Sequence, residues 1–189
     1  MGCGKSSVGR RLSELLGCPF TDLDDAIAER AGRSIPDIFA TEGEPYFRNL
    51  ERETLADIIR NHSSDDSSAR LLLALGGGAV MTQACERMVH EETLCIYLKA
   101  SADTLISHLE GQAAGRPLLN TAAMPSASVI SNESPSVMSS EVEMSPLRKR
   151  ILDLMSLRAE TYERTAHLII DTDGHSIDDI AAEIIRLIA

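Results

Sequence analysis

Gly2-Cys3-Gly4-Lys5-Ser6-Ser7-Val8, at the head of the chain, is the stretch whose reading decides the fold. Gly4-Lys5-Ser6 matches the closing half of the phosphate-binding pattern G-x-x-x-x-G-K-[ST], whose opening glycine falls ahead of Met1. The residue types follow from the chemistry. Glycines let successive backbone N–H groups curl around phosphate oxygens. A lysine at this position reaches the β/γ-phosphates, and the hydroxyl after it ligates Mg²⁺. Val8, Leu12, Leu15 and Leu16 then recur at helical spacing, so a helix over Lys5–Leu16 is predicted, with its positive end aimed at the anion. Nucleotide binding is therefore the first expectation, weighed against a glycine-rich tail.

The same stretch poses a question of organisation. A phosphate loop joins a buried strand to a helix, and in a doubly wound sheet the first strand is central. No residues ahead of Gly2 supply that strand. The expectation is a start that lies upstream; the alternative is a chain that folds without its middle strand. Working outward, short apolar runs alternate with helical patterns, which is the α/β signature. Strands are predicted over Pro19–Leu23, Arg70–Leu75, Leu94–Lys99 and His167–Asp171, the second buried on both faces because its apolar run is nearly continuous. Ser34, Ser101 and Ser176 are placed to cap helices, and Gly43-Glu44-Pro45 opens a long one. The fold class expected is a P-loop NTPase α/β fold, a parallel sheet flanked by helices with its first central strand missing, in one domain over residues 1–189.

Composition narrows the function. The 189 residues are 43% hydrophobic, enough for a full core, and only 3% aromatic, so that core is aliphatic. A net charge of −11 argues against a general nucleic-acid or anionic-membrane surface. No signal peptide or bilayer-length apolar run is present, and the four cysteines show no C-x-x-C pairing. These features lead to the expectation of reduced thiols in a cytoplasmic protein. Cys3 is read as a packing or tolerated loop residue rather than a reactive thiol. The five histidines show no metal-ligand spacing. Residues 121–145 are rich in Ser, Met, Pro and Ala without any period, which is the composition of a mobile loop or disordered insert.

Five further features carry candidate chemistry. Asp22 and Asp24 stand at the carboxyl end of the predicted strand Pro19–Leu23, where ligands bind in parallel α/β sheets. One could help hold Mg²⁺ and the other accept a hydroxyl proton, although Asp24 could equally be a helix cap. Arg48 and Glu51 are helix neighbours three residues apart, so Glu51 could orient the guanidinium for a carboxylate, against the plainer reading of a surface ion pair. Gly76-Gly77-Gly78 directly after a predicted strand implies close approach of a ligand to backbone, against a simple turn. Arg116-Pro117 precedes the insert, where an arginine on a closing loop can stabilise a transferring phosphoryl group. Arg158-x-x-x-Tyr162 lies on one helix face, and Arg158 is a second possible anion clamp.

Taken in order, these segments resemble the shikimate kinase family. The matching stretches are Gly2–Leu12, Asp22–Ile27, Gly32–Phe39, Gly43–Glu51, Leu75–Val80, Arg116–Leu119 and Arg158–Tyr162, and together they span nearly the whole chain outside the insert. The resemblance implies transfer of the ATP γ-phosphoryl group to the 3-hydroxyl of shikimate, a step of aromatic amino acid biosynthesis through chorismate. By position, Gly2, Cys3, Gly4, Lys5, Ser6 and Ser7 would bind the nucleotide phosphates, and Ser6 with Asp22 would serve Mg²⁺ directly or through water. Asp24 would bind the ring hydroxyls and take the proton, Arg48 and Arg158 would grip the carboxylate, and Gly76, Gly77 and Gly78 would line the substrate. Arg116 would close over ATP from a lid spanning residues 111–145, and His175 would lie at the nucleotide's edge. Lys5, Asp24 and Arg116 are the catalytic set. The implied partners are shikimate, ATP and Mg²⁺, without nucleic acid or membrane, for a monomer. The rival readings are a related small-molecule kinase, such as a gluconate kinase, and a catalytically impaired kinase-like binding protein.

Overall fold

Helix α1 (Lys5–Leu16) begins at the predicted residue and buries Val8 and Leu12. The computed structural model describes residues 3–64, 70–110 and 146–189. After α1 the chain forms β1 (Phe20–Asp22), α2 (Leu23–Ala31), α3 (Ile35–Thr41) and the long α4 (Gly43–Ser64). Strand β2 (Leu72–Ala74) leads through the glycine triplet into a 3₁₀ turn (Ala79–Met81) and α5 (Gln83–Glu92). Then come β3 (Ile96–Lys99), α6 (Ala102–Glu110), α7 (Pro146–Thr165), β4 (Leu168–Asp171) and α8 (Ile177–Ile188).

Capping explains several boundaries. Ser34 accepts from the Asp37 amide at the start of α3, and Thr82 from the Cys85 amide at the start of α5. Ser176 and Asp179 form a reciprocal capping box on α8, each side chain taking the other's backbone N–H. The boundary of α2 corrects the sequence reading. Asp22 is the cap, its carboxylate accepting from the Asp24 amide at 3.1 Å, and Asp24 already lies in the first helical turn.

All observed pairing is parallel, as the alternation of strands and helices requires. The described strands pair two by two. Phe20–Asp22 lie against Leu72–Ala74, and Ile96–Lys99 against Leu168–Asp171. One core, built on Leu23, Ile27, Ile38, Leu55 and Val89, lies between α2, α4 and α5. A second joins Val8 and Leu12 of α1 to Leu98, Ile170, Ile180 and Ile184, so α1 and α8 cover the β3–β4 pair. Predicted to be buried on both faces, β2 has only Ala74 fully buried; Leu72 and Leu73 remain half-buried. The physical reason is that, among the described residues, β2 has a strand on one side only, and Leu75 just after it lines an open cleft.

Candidate active site

The phosphate loop turns into α1 at Gly4, whose φ of 79° lies in the left-handed region that glycine enters without a Cβ penalty. No side chain caps α1, so its first amides are left to a ligand. Cys3 to Val8 line a cavity of about 430 Å³, closed on the far side by Thr172, His175, Ser176 and Ile180. His175, expected beside the nucleotide, lines this cavity together with the phosphate loop. Ser6 Oγ donates to Asp22 Oδ2 at 2.7 Å, which brings together the two oxygen side chains expected at a Mg²⁺. Both are hard oxygen donors, the kind Mg²⁺ prefers, so these residues fit that ion.

The glycine triplet is the hub of the second half of the site. A Cβ on Gly76 would stand 2.8 Å from Asp24 Oδ1, and one on Gly78 would stand 2.6 Å from Arg48 Nη1. Between them, the Gly77 carbonyl accepts from Arg158 Nη1 at 3.1 Å and from the Tyr162 hydroxyl. Helices α2, α4 and α7 each deliver a functional side chain to one of three consecutive residues. The triplet forms a turn, with the Ala79 amide donating to the Gly76 carbonyl at 3.1 Å, and the missing Cβ atoms of Gly76 and Gly78 leave room for the Asp24 and Arg48 side chains. Lys5 lines the same cleft as Gly76, Gly77 and Arg158.

Arg48 is not half of a surface ion pair. Its Nη1 donates to Glu51 Oε2 at 2.8 Å and its Nη2 to Glu44 Oε1 at 3.1 Å. Glu51 is only 2% exposed, because α4 packs this face against the core cluster that includes Phe47 and Leu50. Burial opposes the guanidinium charge, but the two glutamates outweigh it and hold the Arg48 pKa above the usual arginine range. Asp24 moves the other way from a solvated carboxylate. Burial pushes its pKa up, Asp22 and Asp25 add to the rise, and Lys5 and Arg48 pull it back. Burial likewise raises the Tyr162 hydroxyl, with Arg158 opposing.

Asp22, Asp24, Lys5, Ser6, Arg48, Gly76–Gly78, Arg158 and His175 thus come together on one rim of the fold. Asp22 and Asp24 do so from a strand end and a helix start, not both from the end of the strand as the sequence reading had it. Cys3 packs beside Ala100, Leu105 and Ile151, consistent with a packing role, and the four cysteines are unpaired thiols. Gly2, Arg116 and the whole span 111–145 lie outside the described residues. The part of Tyr162 as a donor to Gly77 was not read from the sequence, although its i,i+4 spacing from Arg158 was visible. Thr172 and Ser176, which line the cavity beside the phosphate loop, carried no sequence signal beyond a helix cap. Among the described residues, no three His, Cys, Asp or Glu side chains cluster as a metal site, and no helix is long and apolar enough to cross a membrane.

The family model described as Shikimate kinase matches residues 1–189. A shikimate kinase of Dictyoglomus turgidum is 33% identical over 98% of this chain and 91% of its own length. One from Salinibacter ruber is 35% identical over 100% of this chain and 80% of its own. Among solved structures, "Shikimate kinase from Acinetobacter baumannii in complex with shikimate" superposes with a TM-score of 0.78 at 29% identity, covering 100% of this chain and 88% of that one.

Proposed function

The chain belongs to the shikimate kinase family, and we propose that the side chains gathered at Gly76–Gly78 and at the phosphate loop perform ATP-dependent phosphorylation of the 3-hydroxyl of shikimate. Cys3, Gly4, Lys5, Ser6 and Ser7 hold the phosphates, with Lys5 on the β/γ oxygens. Ser6 and Asp22 hold Mg²⁺, directly or through water; when bound, the ion neutralises charge on the transferring group.

On the acceptor side, Arg48 and Arg158 take the carboxylate, with Arg48 presented by Glu51 and Glu44 as a preset fork. Asp24 receives the substrate hydroxyl and its proton. A carboxyl whose pKa is lifted by burial is a better-matched base near neutral pH than a solvated one. Lys5 lies close enough to act on Asp24 electrostatically, so the phosphate cradle and the hydroxyl site adjoin. His175 borders the nucleotide. Arg116, within the lid of residues 111–145, keeps the closing role that the family resemblance gives it. The reading includes one domain over residues 1–189, acting as a cytoplasmic monomer without nucleic-acid or membrane partners.

The observation that carries this reading is the convergence of one carboxylate and two guanidinium groups on three consecutive glycines, with Lys5 in the same cleft. The test is MgATP-dependent ADP release with shikimate and gluconate side by side. Turnover that requires shikimate is expected. Preference for gluconate transfers the site to a different acid, and no turnover with either leaves a binding protein.

A further inference from the structure

Among the described residues, strand β4 pairs only with β3. Leu168 N and Thr172 N donate to the Cys95 and Lys99 carbonyls on that side, at 3.2 and 2.9 Å. Backbone groups alternate in direction along a strand, so Ile169 and Asp171 turn theirs to the other edge. A groove of about 590 Å³ runs there, lined by β4 and by Asp179, Ala182, Glu183, Arg186 and Leu187 of α8. Residues three, four, seven and eight after Asp179 share its helix face. Ile180 and Ile184 pack into the core from the adjoining face. Ile169 remains 48% exposed and Leu187 42%. The carboxylates of Asp171, Asp179 and Glu183 border the groove against the guanidinium of Arg186, with His175 at one end. Hydrogen bonds from Ser176 hold the Asp179 carboxyl below the usual carboxylate range, and Arg186 does the same for Glu183, so both stay ionised.

We propose that this groove is a docking site for a basic, extended peptide segment of a partner protein, which adds to the β4 edge as a further strand. The span from Asp179 to Leu187 is about 12 Å of helix, enough to cover about four strand residues. The chemistry selects that occupant. The N–H and C=O groups of Ile169 and Asp171 on the open edge match another extended backbone, whereas a helix uses its own internally. Ile170 packs with Ile180 and Ile184 of α8, so strand alternation puts the Ile169 and Asp171 side chains on the opposite face. An added strand alternates in the same way. On the α8 side its residues meet Asp179 and Glu183, which select lysine or arginine, and the aliphatic stems of those side chains cover Leu187. On the opposite side they meet Ile169, which selects apolar residues. A second copy of the chain is the wrong occupant. It carries a net charge of −11, and pairing β4 with β4 sets two acidic rims against each other.

The test titrates the full chain with three blocked, dye-labelled peptides: Lys-Ile-Arg-Val-Lys-Ile, the same with Glu at every cationic position, and the same with Pro at its second and fourth positions. Proline removes the amides a ladder needs. Fluorescence anisotropy, amide exchange at Ile169 and Asp171, and mass in solution are measured. The basic peptide is expected to bind saturably, at least about tenfold more tightly than either control, and to weaken as salt rises. It should slow exchange at the Ile169 and Asp171 amides at least about tenfold. Glu183→Lys, at an exposed position, should weaken it at least about tenfold while the melting temperature is kept. Absence of saturable binding overturns the proposal. So does equal binding of the Glu- or Pro-bearing peptide, or binding that leaves those two amides unprotected or is indifferent to Glu183→Lys. A chain without peptide that is already dimeric with those amides protected also overturns it, because a second copy then occupies the edge.

Discussion

Replacing Gly78 with alanine should loosen the grip on the substrate carboxylate and leave the nucleotide side intact. The backbone at Gly78 has φ −104° and ψ −8°, which alanine adopts without strain, so the effect is purely steric. The new methyl would stand 2.6 Å from Arg48 Nη1, 2.8 Å from Nη2 and 3.0 Å from Cζ. Carbon and nitrogen atoms settle near 3.5 Å, so the guanidinium must retreat by about 0.9 Å. It cannot swing away freely, being pinned to Glu51 at 2.8 Å and Glu44 at 3.1 Å. A misplacement of about 1 Å in a positioning group can cost on the order of 10²-fold. A fall of roughly 10- to 100-fold in kcat/KM for shikimate is expected, about 1.4–2.7 kcal/mol of transition-state stabilisation. It should appear mainly as a higher KM for shikimate, with the KM for ATP within about twofold. The companion Gly76→Ala pushes on Asp24 Oδ1 from 2.8 Å and should lower kcat instead. Steady-state kinetics with each substrate varied in turn, alongside a thermal melt, read both. A folded Gly78→Ala enzyme with unchanged kcat/KM for shikimate would refute the placement of Arg48.

Asp24→Asn should lower kcat by at least about 10²-fold. Because burial raises the Asp24 pKa in the folded state, its contribution to stability is present at acid pH and lost as pH rises through the folded value. The Asn variant should therefore melt no lower than the parent at pH 7, with any gain fading toward acid pH, and the parent's kcat should fall on acidification at a pH above the ordinary carboxylate range; a variant of unchanged kcat contradicts the role. Ser6→Ala removes the hydroxyl bonded to Asp22 and should raise the Mg²⁺ concentration for half-maximal turnover about tenfold, read by Mg²⁺ titration at fixed ATP; an unmoved midpoint contradicts it. Tyr162→Phe deletes one of two donors to the Gly77 carbonyl, at about 1 kcal/mol. A melting temperature lower by about 2–4 °C is expected, with Arg158 still satisfying the carbonyl.

Features set by local chemistry could be read from the sequence. Helix α1 starts at Lys5 and the serine caps fall where predicted, because an oxygen side chain ahead of a periodic apolar run has a local reason to be there. The depth of the Arg48–Glu51 pair was not legible, since an i,i+3 spacing looks the same on a wet face and on one packed beside Phe47. Asp22, not Asp24, is the helix cap because a small shift in the end of β1 decides which carboxylate meets the first free amide. The glycine triplet was read for the approach of a ligand, and the side chains that crowd Gly76 and Gly78 were not legible. That Asp24, Arg48 and Arg158 meet there depends on how α2, α4 and α7 pack around it. Leu72 and Leu73 are more open than an apolar run suggests, because burial depends on what pairs with the second edge of β2.

The most direct measurement is a crystal structure of the protein with shikimate and a non-hydrolysable ATP analogue. The expected result has the carboxylate within hydrogen-bond reach of both Arg48 and Arg158, and the 3-hydroxyl between Asp24 and the terminal phosphate on Lys5. A carboxylate seated away from both arginines, or a hydroxyl out of reach of Asp24, would contradict it.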